Sequence, residues 1–431
     1  MNNLTKNNIA LSINSGSLWV KSNIAVVLVL TTLVLTVSKS LFSIPVSLMA
    51  LMGLYRFLKS PKAILNDKAV RAVCLLFLCA WLPMLASMTD AVNPGRSLET
   101  VVPYLRFLFM SIYLLQELND IKRIKAIVFG TVCILTFWCV DVLIQLLFRA
   151  NLFGYPYESG QATGMFYPRN ILGHLSAVLA PLCFEWIRTR YQRHKWLICL
   201  LLPLFMAPLL SGRRAAWMMM GISAVVYLFY LLRQNINRNR LLGGIAVVIT
   251  MIALSSFFAF KANPDLMHRA SMTADLLSLD FERTDVALSR RLSLWEPSTR
   301  IIQDHWINGI GPRGYRDLLP EYTSVDSYWH GLGTTHPHML ILEIVAETGF
   351  IGFVGIIFWV WLLLRFIRSK LMMTDIFPWT LALFVAVMPL NMHIAFYGSY
   401  WSTVIWWLVA ILFASVNIQS KEIPRRENPN H

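Results

Sequence analysis

Residues 195–233 read KWLICLLLPLFMAPLLSGRRAAWMMMGISAVVYLFYLLR. Two apolar runs, 196–211 and 215–232, come close to the length of a membrane-spanning helix, and only a short SGRR turn separates them. A hydrocarbon core about 30 Å thick requires roughly 20 predominantly apolar residues per helix. The stretch therefore predicts two membrane helices, with Arg213 and Arg214 at the end where they meet.

The same pattern continues along the rest of the chain. Of its 431 residues, 56% are hydrophobic and 14% are charged, whereas soluble domains carry about 25% charged residues. We therefore expect an all-α polytopic membrane protein with about twelve transmembrane helices, the first of which is retained rather than cleaved. The first two runs are alternatively one broken helix. The runs lie at 24–38, 41–57, 69–87, 101–116, 126–148, 171–187, 196–211, 215–232, 241–260, 339–364, 376–393 and 402–418.

The distribution of charge predicts the orientation of these helices. The chain has a formal net charge of +15. If the N-terminus is cytoplasmic and the helices alternate, every cytoplasmic loop is basic, while the opposite loops are poor in Lys and Arg or of mixed sign. This bias accounts for the positive charge, so we expect no nucleic-acid partner. It also places Arg213 and Arg214 on the outer side, where the positive-inside rule does not explain them.

One long polar segment divides the chain into three parts. We expect helices one to nine in 1–260, a loop domain in 261–335, and helices ten to twelve with a cytoplasmic tail in 336–431. The loop segment holds ten acidic and eight basic residues, so it is nearly neutral in a basic protein. It is the only large polar part of the sequence.

Within this segment, DVALSRRLSLWEPSTRIIQDHWI (285–307) has apolar residues at near-helical spacing. The spacing predicts an amphipathic helix that is interrupted near Pro297 and lies on the outer leaflet surface. The glycines that follow do not have the spacing of a phosphate-binding loop, and we interpret them as turn residues. They are Gly309, Gly311 and Gly314.

Two interpretations of Arg213 and Arg214 remain open from the residues alone. They are either interfacial arginines whose side chains reach the lipid headgroups, or ligands for an anion in an outer cavity. A guanidinium is well suited to phosphate because its planar fork donates two hydrogen bonds and stays charged. If Ser211-Gly212 opens the second helix, its N-terminal amides add to the same anion site.

His338 precedes the apolar run 339–364 and is expected at a helix N-terminus, where the helix dipole lowers the pKa of an imidazole. A neutral imidazole can act as a general base. The alternatives are a structural histidine, or a zinc site in which His336 and His338 join His330 or His305.

Two further sets of polar side chains lie in apolar runs. Glu343 and Glu347 follow on the helix of His338, and we expect an arginine as their partner. The six cysteines all lie in apolar runs, so we expect neither a disulfide framework nor a thiolate metal site. They are Cys74, Cys79, Cys133, Cys139, Cys183 and Cys199.

Four motifs follow one another in a characteristic order. The first runs from Ser211 to Trp217, the second is S-x-R-x-x-x-W at 289–295, the third is N-G-I-G at 308–311, and the fourth extends from His338 through E-x-G-x-x-G to Gly352. In this order, over about 200–352, the sequence resembles the O-antigen ligase and polymerase superfamily of bacterial membrane glycosyltransferases.

The resemblance implies a role for particular residues. Arg214 and Arg291 match the arginines that engage the diphosphate of the donor, and Arg213 and Arg290, beside them, are expected to bind substrate. His338 matches the catalytic histidine of the family. His336 is a substrate-binding candidate and the alternative base, since the residue after His338 departs from the usual pattern.

The function implied is that of an O-antigen ligase with a GT-C-like fold, in the bacterial inner membrane, with a periplasmic active site. The donor is a glycan on undecaprenyl diphosphate, the acceptor is a sugar hydroxyl of lipid A–core, and membrane lipids surround the chain. We expect inverting transfer without a cofactor or metal, because arginines can stabilise the leaving diphosphate. The alternatives are an O-antigen polymerase of the same superfamily and a transporter of lipid-linked sugars.

Overall fold

The computed structural model describes residues 23–158, 160–234, 238–272, 275, 280–388 and 394–427. These residues form seventeen α-helices and no strand. The helices are α1 (Ile24–Leu35), α2 (Ser43–Lys59), α3 (Pro61–Leu65), α4 (Lys68–Ala86), α5 (Pro94–Glu117), α6 (Ile121–Phe148), α7 (Leu172–Arg190), α8 (Leu201–Leu210), α9 (Arg214–Arg233), α10 (Arg238–Ala262), α11 (Pro264–Ser271), α12 (Phe281–Ala287), α13 (Leu292–Asp304), α14 (Tyr315–Tyr322), α15 (Leu340–Ile367), α16 (Phe377–Ala386) and α17 (Ser399–Glu427).

The expected all-α membrane architecture is confirmed, and every predicted apolar run coincides with a helix. The first two runs form separate helices, α1 and α2. The end of the predicted run 376–393 lies outside the described residues, as does the chain before residue 23. Seven described helices are long and apolar enough to cross a membrane, so twelve crossings stay a prediction. They are Lys68–Asp90, Pro94–Glu117, Ile121–Phe148, Arg214–Arg233, Leu242–Ala262, Leu340–Ile367 and Ser399–Lys421.

Burial distinguishes the centre of the helical bundle from its rim. In the apolar part of α17, 94% of the residues are buried by the protein, against 11% in α10. Helix α17 packs against α5 and α16, while α10 packs mainly against α8. The apolar side chains of α10 that no other helix covers are suited to contact with lipid, because a helix apolar all round requires a core or a membrane.

The described residues between 261 and 335 pack at one end of this bundle, which we call the loop side. Their helices have a small core of their own that also includes Ala346 of α15. The other members of this core are Leu294, Ile301, Ile310, Tyr315, Leu318 and Leu319. The apolar face of α13 thus packs against the protein itself, not against the leaflet surface.

The predicted interruption at Pro297 is wrong. Helix α13 continues through this proline, and the chain breaks earlier, at Ser289 and Arg290, which both have positive φ angles of 60° and 57°. A proline removes one backbone donor from a helix, whereas two consecutive left-handed residues reverse the chain direction. The amphipathic segment is therefore divided into α12 and α13.

The N-G-I-G turn and the E-x-G-x-x-G motif form a single interlock on the loop side. Helix α15 is kinked at Gly349, where φ is +62°, and the kink leaves carbonyls available for other partners. The N–H groups of Ile310 and Gly311 donate to the carbonyls of Ala346 and Glu347, at 3.0 Å each. The two motifs therefore fix the long loop onto the start of α15.

Candidate active site

The turn between α8 and α9 presents the two adjacent arginines, as the sequence predicts. Gly212 has a φ of +64°, Arg213 caps α9, and Arg214 is its first helical residue. The carbonyl of Ser211 accepts a hydrogen bond from Asn170 Nδ2 at 2.6 Å, which anchors the turn to the segment before α7. Both side chains therefore start from a fixed helix N-terminus on the loop side.

Arg290 and Arg291 lie in a second turn, between α12 and α13, where their side chains have different neighbours. The buried residue Asp285 of α12 holds this turn in place. Its carbonyl accepts from the Arg290 N–H at 2.6 Å, and its Oδ1 accepts from the Ser293 N–H at 3.2 Å. The guanidinium of Arg290 lies over the ring of Tyr328, 5.3 Å from its centroid. The predicted pair of loop arginines is thus divided, because one side chain packs within the loop.

Arg291 instead faces the arginines of α9. Arg214 Nη2 donates to Ser289 Oγ at 2.8 Å, which ties the two turns together. Burial, and then the charges of Arg214 and Arg213, lower the pKa of Arg291 to about 10. Because a lowered pKa means that the surroundings disfavour the cation, this guanidinium is not compensated by its neighbours. We call Arg213, Arg214 and Arg291 the first arginine group.

His338 lies beside the first arginine group. Its backbone is left-handed, with a φ of +54°, and the preceding carbonyl of Pro337 accepts from Trp295 Nε1 at 3.1 Å. Burial, followed by the charges of Arg291 and Arg213, lowers the pKa of His338 to about 4. The expected direction of the shift is therefore right, but burial rather than the helix dipole is its main cause. The imidazole is neutral at pH 7.

His336 lies next to His338 but is held in the loop. The two ring centroids are 4.3 Å apart and nearly perpendicular. His336 is 7% exposed, and its Nδ1 forms a hydrogen bond of 2.9 Å with the hydroxyl of Thr335. The charges of Arg291 and Arg213 act on the imidazole of His338, so this histidine lies close to the first arginine group.

The charge of Arg313 acts on both Glu343 and Glu347, in line with the expected arginine partner, but the hydrogen bonds of the two carboxyls come from backbone amides. Glu343 accepts from the N–H groups of Phe396 and Tyr397 at 2.9 and 3.2 Å. Glu347 accepts from the backbone N–H of Arg313 at 2.7 Å rather than from its guanidinium. Both carboxyls are fully buried, so they hold the segments around α15 in place instead of facing a ligand.

The zinc hypothesis requires at least three grouped ligands. Among the residues that the structure describes, no three His, Cys, Asp or Glu side chains are grouped in this way. His336 and His338 adjoin each other, but His330 and His305 do not complete a set with them. The six cysteines are all free thiols.

Sequence reasoning missed two polar residues near the first arginine group. His174 is completely buried on α7, and the charges of Arg213 and Arg291 act on its ring. Asn170 is buried before the same helix and supports the Ser211 turn. A histidine inside an apolar run is the signal that could have found the first of them, because ionisable residues in membrane spans are rare and functional.

This geometry agrees with a family comparison. Residues 198–357 match the family model described as O-antigen ligase, a range that includes all four motifs. Over this range, the chain is similar to the O-antigen ligase family. No curated protein matches the chain. Together with the seven described helices that are long and apolar enough to cross a membrane, this similarity indicates a multi-pass membrane protein.

Proposed function

We propose that this protein is an O-antigen ligase that transfers a glycan from undecaprenyl diphosphate to a sugar hydroxyl of lipid A–core. The observation that carries the proposal is the position of the first arginine group beside His338, within the range that matches the family. Basic loops at the end opposite to 261–335 support an orientation in the inner membrane with this site in the periplasm.

The first arginine group is suited to bind the diphosphate of the donor. When the glycosyl bond breaks, negative charge develops on the departing diphosphate. Arg291 is partly buried among other cations, so an anion that enters the site replaces an unfavourable repulsion with an attraction. Fixed donors of this kind act in the transition state without reorganising, and removal of one typically costs about 10²–10³ in rate.

His338 is suited to accept the proton of the acceptor. The hydroxyl oxygen attacks the anomeric carbon, the bond from that carbon to the diphosphate oxygen breaks, and the hydroxyl proton passes to the imidazole. The anomeric centre inverts. The neutral state of His338 leaves it able to accept this proton, and the charge of a bound diphosphate opposes the guanidinium groups and raises its pKa. The donor thus makes its own base stronger.

The donor already carries a good leaving group, so the reaction needs no nucleotide. We expect no cofactor and no metal, because the three guanidinium groups provide the positive charge that a divalent ion supplies in other sugar-diphosphate enzymes.

The proposal is tested in a strain that lacks the chromosomal gene. The wild-type chain is expected to restore long O-chains on lipopolysaccharide, and Arg214→Ala is expected not to. Full capping by Arg214→Ala would contradict the assignment. The intermediate that accumulates separates the alternatives, because loss of a ligase leaves polymerised chains on the carrier lipid, whereas loss of a polymerase leaves core with a single repeat unit. Joining of donor and acceptor by purified protein in detergent excludes a transporter, since no gradient exists there.

A further inference from the structure

A second set of three arginines lies on the loop side, at the start of α5 and α14. Arg96 is the third residue of α5, Arg313 lies two residues before the start of α14, and Arg316 is the second residue of α14. Two hydrogen bonds connect the region around the start of α5 with the segment before α14. The N–H of Val92 donates to the Ile310 carbonyl at 3.0 Å, and Ser97 Oγ donates to the Pro312 carbonyl at 3.1 Å. We call these arginines the second arginine group.

The second arginine group has one carboxylate at its surface and two buried carboxyls, Glu343 and Glu347, on which the charge of Arg313 acts. Asp317 accepts from Arg96 Nη1 with both oxygens, at 2.8 Å each, and is the carboxylate at its surface. Glu347 is completely buried and accepts the backbone N–H of Arg313. At the surface of the group, Asp317 is thus bound to Arg96, and its carboxylate forms no hydrogen bond with the guanidinium of Arg313 or Arg316 in the part of the chain that the structure describes.

Part of the hydrogen-bonding capacity of these two guanidinium groups is unused. Arg313 Nη1 and Arg316 Nε are buried and form no hydrogen bond within the part of the chain that the structure describes. Burial and the charges of Arg313 and Arg96 lower the pKa of Arg316 more than Asp317 and Glu347 raise it. A left-handed backbone at Arg313, with a φ of +65°, adds a conformational cost at the same place. A bound anion would compensate both the charges and the donors.

The position of the second arginine group along α15 indicates which anion it would bind. His338 lies two residues before the first residue of α15, and Glu347, which holds Arg313, lies eight positions along the helix. At 1.5 Å per residue, Glu347 is on the order of 13 Å further along this membrane helix than His338. A glycolipid whose hydroxyl reaches His338 would therefore place groups closer to its lipid anchor beside Arg313 and Arg316.

We propose that Arg313 and Arg316, with Arg96 beside them, bind a phosphate group on the acceptor glycolipid, at a site separate from the first arginine group. The inference rests on the proposed ligase function, because that function makes the occupant a lipid-anchored acceptor. Its chemistry is that of a phosphate monoester near a membrane surface, which guanidinium groups bind with paired, charge-assisted hydrogen bonds. The site thus selects the acceptor, while the first arginine group binds the donor.

Steady-state transfer in detergent tests the proposal with rough lipopolysaccharide and with the same acceptor after phosphatase treatment. In Arg313→Gln/Arg316→Gln, we expect KM for the phosphorylated acceptor to rise about tenfold or more, with kcat and the donor KM unchanged. The dephosphorylated acceptor should show that high KM with the wild type and no further change with the variant. A variant that affects both acceptors equally, or that raises the donor KM, would overturn the proposal.

Three controls make the result interpretable. Arg300→Gln removes an exposed arginine of the same loop, which pairs with Glu296 at 2.9 Å, and should change neither KM. Arg313→Lys/Arg316→Lys keeps both charges and should recover most of the affinity. Size-exclusion chromatography compares the folding of all variants, and a failure of the lysine variant to recover affinity despite normal folding counts against a phosphate site.

A binding experiment distinguishes the source of the phosphate and is independent of transfer. Native mass spectrometry without donor should show phosphorylated acceptor bound to the wild type in preference to the dephosphorylated form, and equimolar phosphatidylglycerol should not displace it. Displacement by phosphatidylglycerol would assign the site to bulk phospholipid and overturn the proposal. If the purified wild type does not join donor to acceptor while this preference persists, the proposed function fails alone. If the wild type transfers normally but binds phosphorylated and dephosphorylated acceptor equally, only the proposed phosphate site is contradicted.

Discussion

The two arginine groups on the loop side have similar charge but different neighbours. The first consists of Arg213, Arg214 and Arg291, and its charges act on the neutral imidazole of His338. The second contains Arg96, which is bound by the surface carboxylate of Asp317. Where guanidinium ions lie beside a base, the ions can bind an anion and the base can accept a proton. Where they lie beside a carboxylate, the site can bind an anion but has no base for proton transfer.

If the two proposals hold, this difference separates chemistry from recognition at one end of the bundle. The two groups are carried by different elements, the first by α9 and the turn before α13, the second by α5 and α14. The interlock of N-G-I-G with the kinked start of α15 lies between them and fixes the loop in place. Variants at the first group should therefore change the rate of transfer, and variants at the second should change acceptor affinity.

The largest effect is expected from the removal of the base. His338→Gln should lower kcat by about 10²–10⁴, the usual contribution of general base catalysis, because glutamine cannot accept the proton. Donor binding should remain near the wild-type level, since the arginines that hold the diphosphate are unchanged. Transfer is measured with purified donor and acceptor, and donor binding by isothermal titration calorimetry.

His336→Gln is the matched variant for this prediction, because its ring adjoins that of His338 and bonds with Thr335. It should retain most activity. If His336→Gln abolishes transfer and His338→Gln does not, the base is assigned to the wrong histidine. Loss of donor binding in His338→Gln would instead indicate a structural role.

The next effect distinguishes two adjacent arginines. Arg291→Gln should lower kcat by about 10²–10³, because it removes a cation that faces the departing diphosphate. Arg290→Gln should cost much less, since that guanidinium lies over the ring of Tyr328. The rates are compared at saturating donor and acceptor. Equal losses in both variants would contradict a special role for Arg291.

Much of the fold was predictable because hydrophobic length decides where membrane helices form. The apolar runs flanking SGRR became α8 and α9, and Gly212 opens the turn as expected. The approach of Arg291 to Arg214 was predictable only through the resemblance to a family, since 75 or more residues separate the two turns. No local pattern encodes such a contact.

The failures have a common physical origin in long-range backbone contacts. The charge of Arg313 acts on Glu343, as an arginine partner would, but the hydrogen bonds of this carboxyl come from N–H groups of residues 396 and 397 in a distant segment. The position of His174 was not predicted, because an apolar run surrounds it in the sequence. Its neighbours in space come from α9 and the loop. Side-chain type predicts that a buried polar group needs a partner, but it does not predict that the partner is a backbone amide.

A smaller effect concerns the pH dependence of transfer. The charge of Arg213 contributes to lowering the pKa of His338 to about 4, and the base is active only when neutral. Activity is thus lost as pH falls through this pKa. Arg213→Gln removes one positive charge, so the pKa should rise and the acidic limb of kcat/KM for the donor should move to higher pH. It should not reach the ordinary value of 6.5, because burial, the larger cause, remains.

The profile is measured at low donor concentration, so that it reports the enzyme without bound diphosphate, and Arg300→Gln serves as the control. This exposed residue belongs to neither arginine group and should leave the limb in place. An acidic limb that stays in place or moves to lower pH in Arg213→Gln would show that Arg213 does not act on the base.

The smallest expected effect is that of metal removal. Chelation with EDTA should leave kcat and both KM values unchanged, because the charge on the departing diphosphate is stabilised by Arg213, Arg214 and Arg291. Divalent ions also bridge lipopolysaccharide molecules, so the acceptor must be fully dispersed in detergent, which light scattering verifies. A loss of kcat that added Mg²⁺ restores, with the acceptor dispersed throughout, would mean that the guanidinium groups do not suffice. The first arginine group would then stabilise the diphosphate together with a metal ion. The two arginine groups would in that case differ by a metal as well as by the base His338.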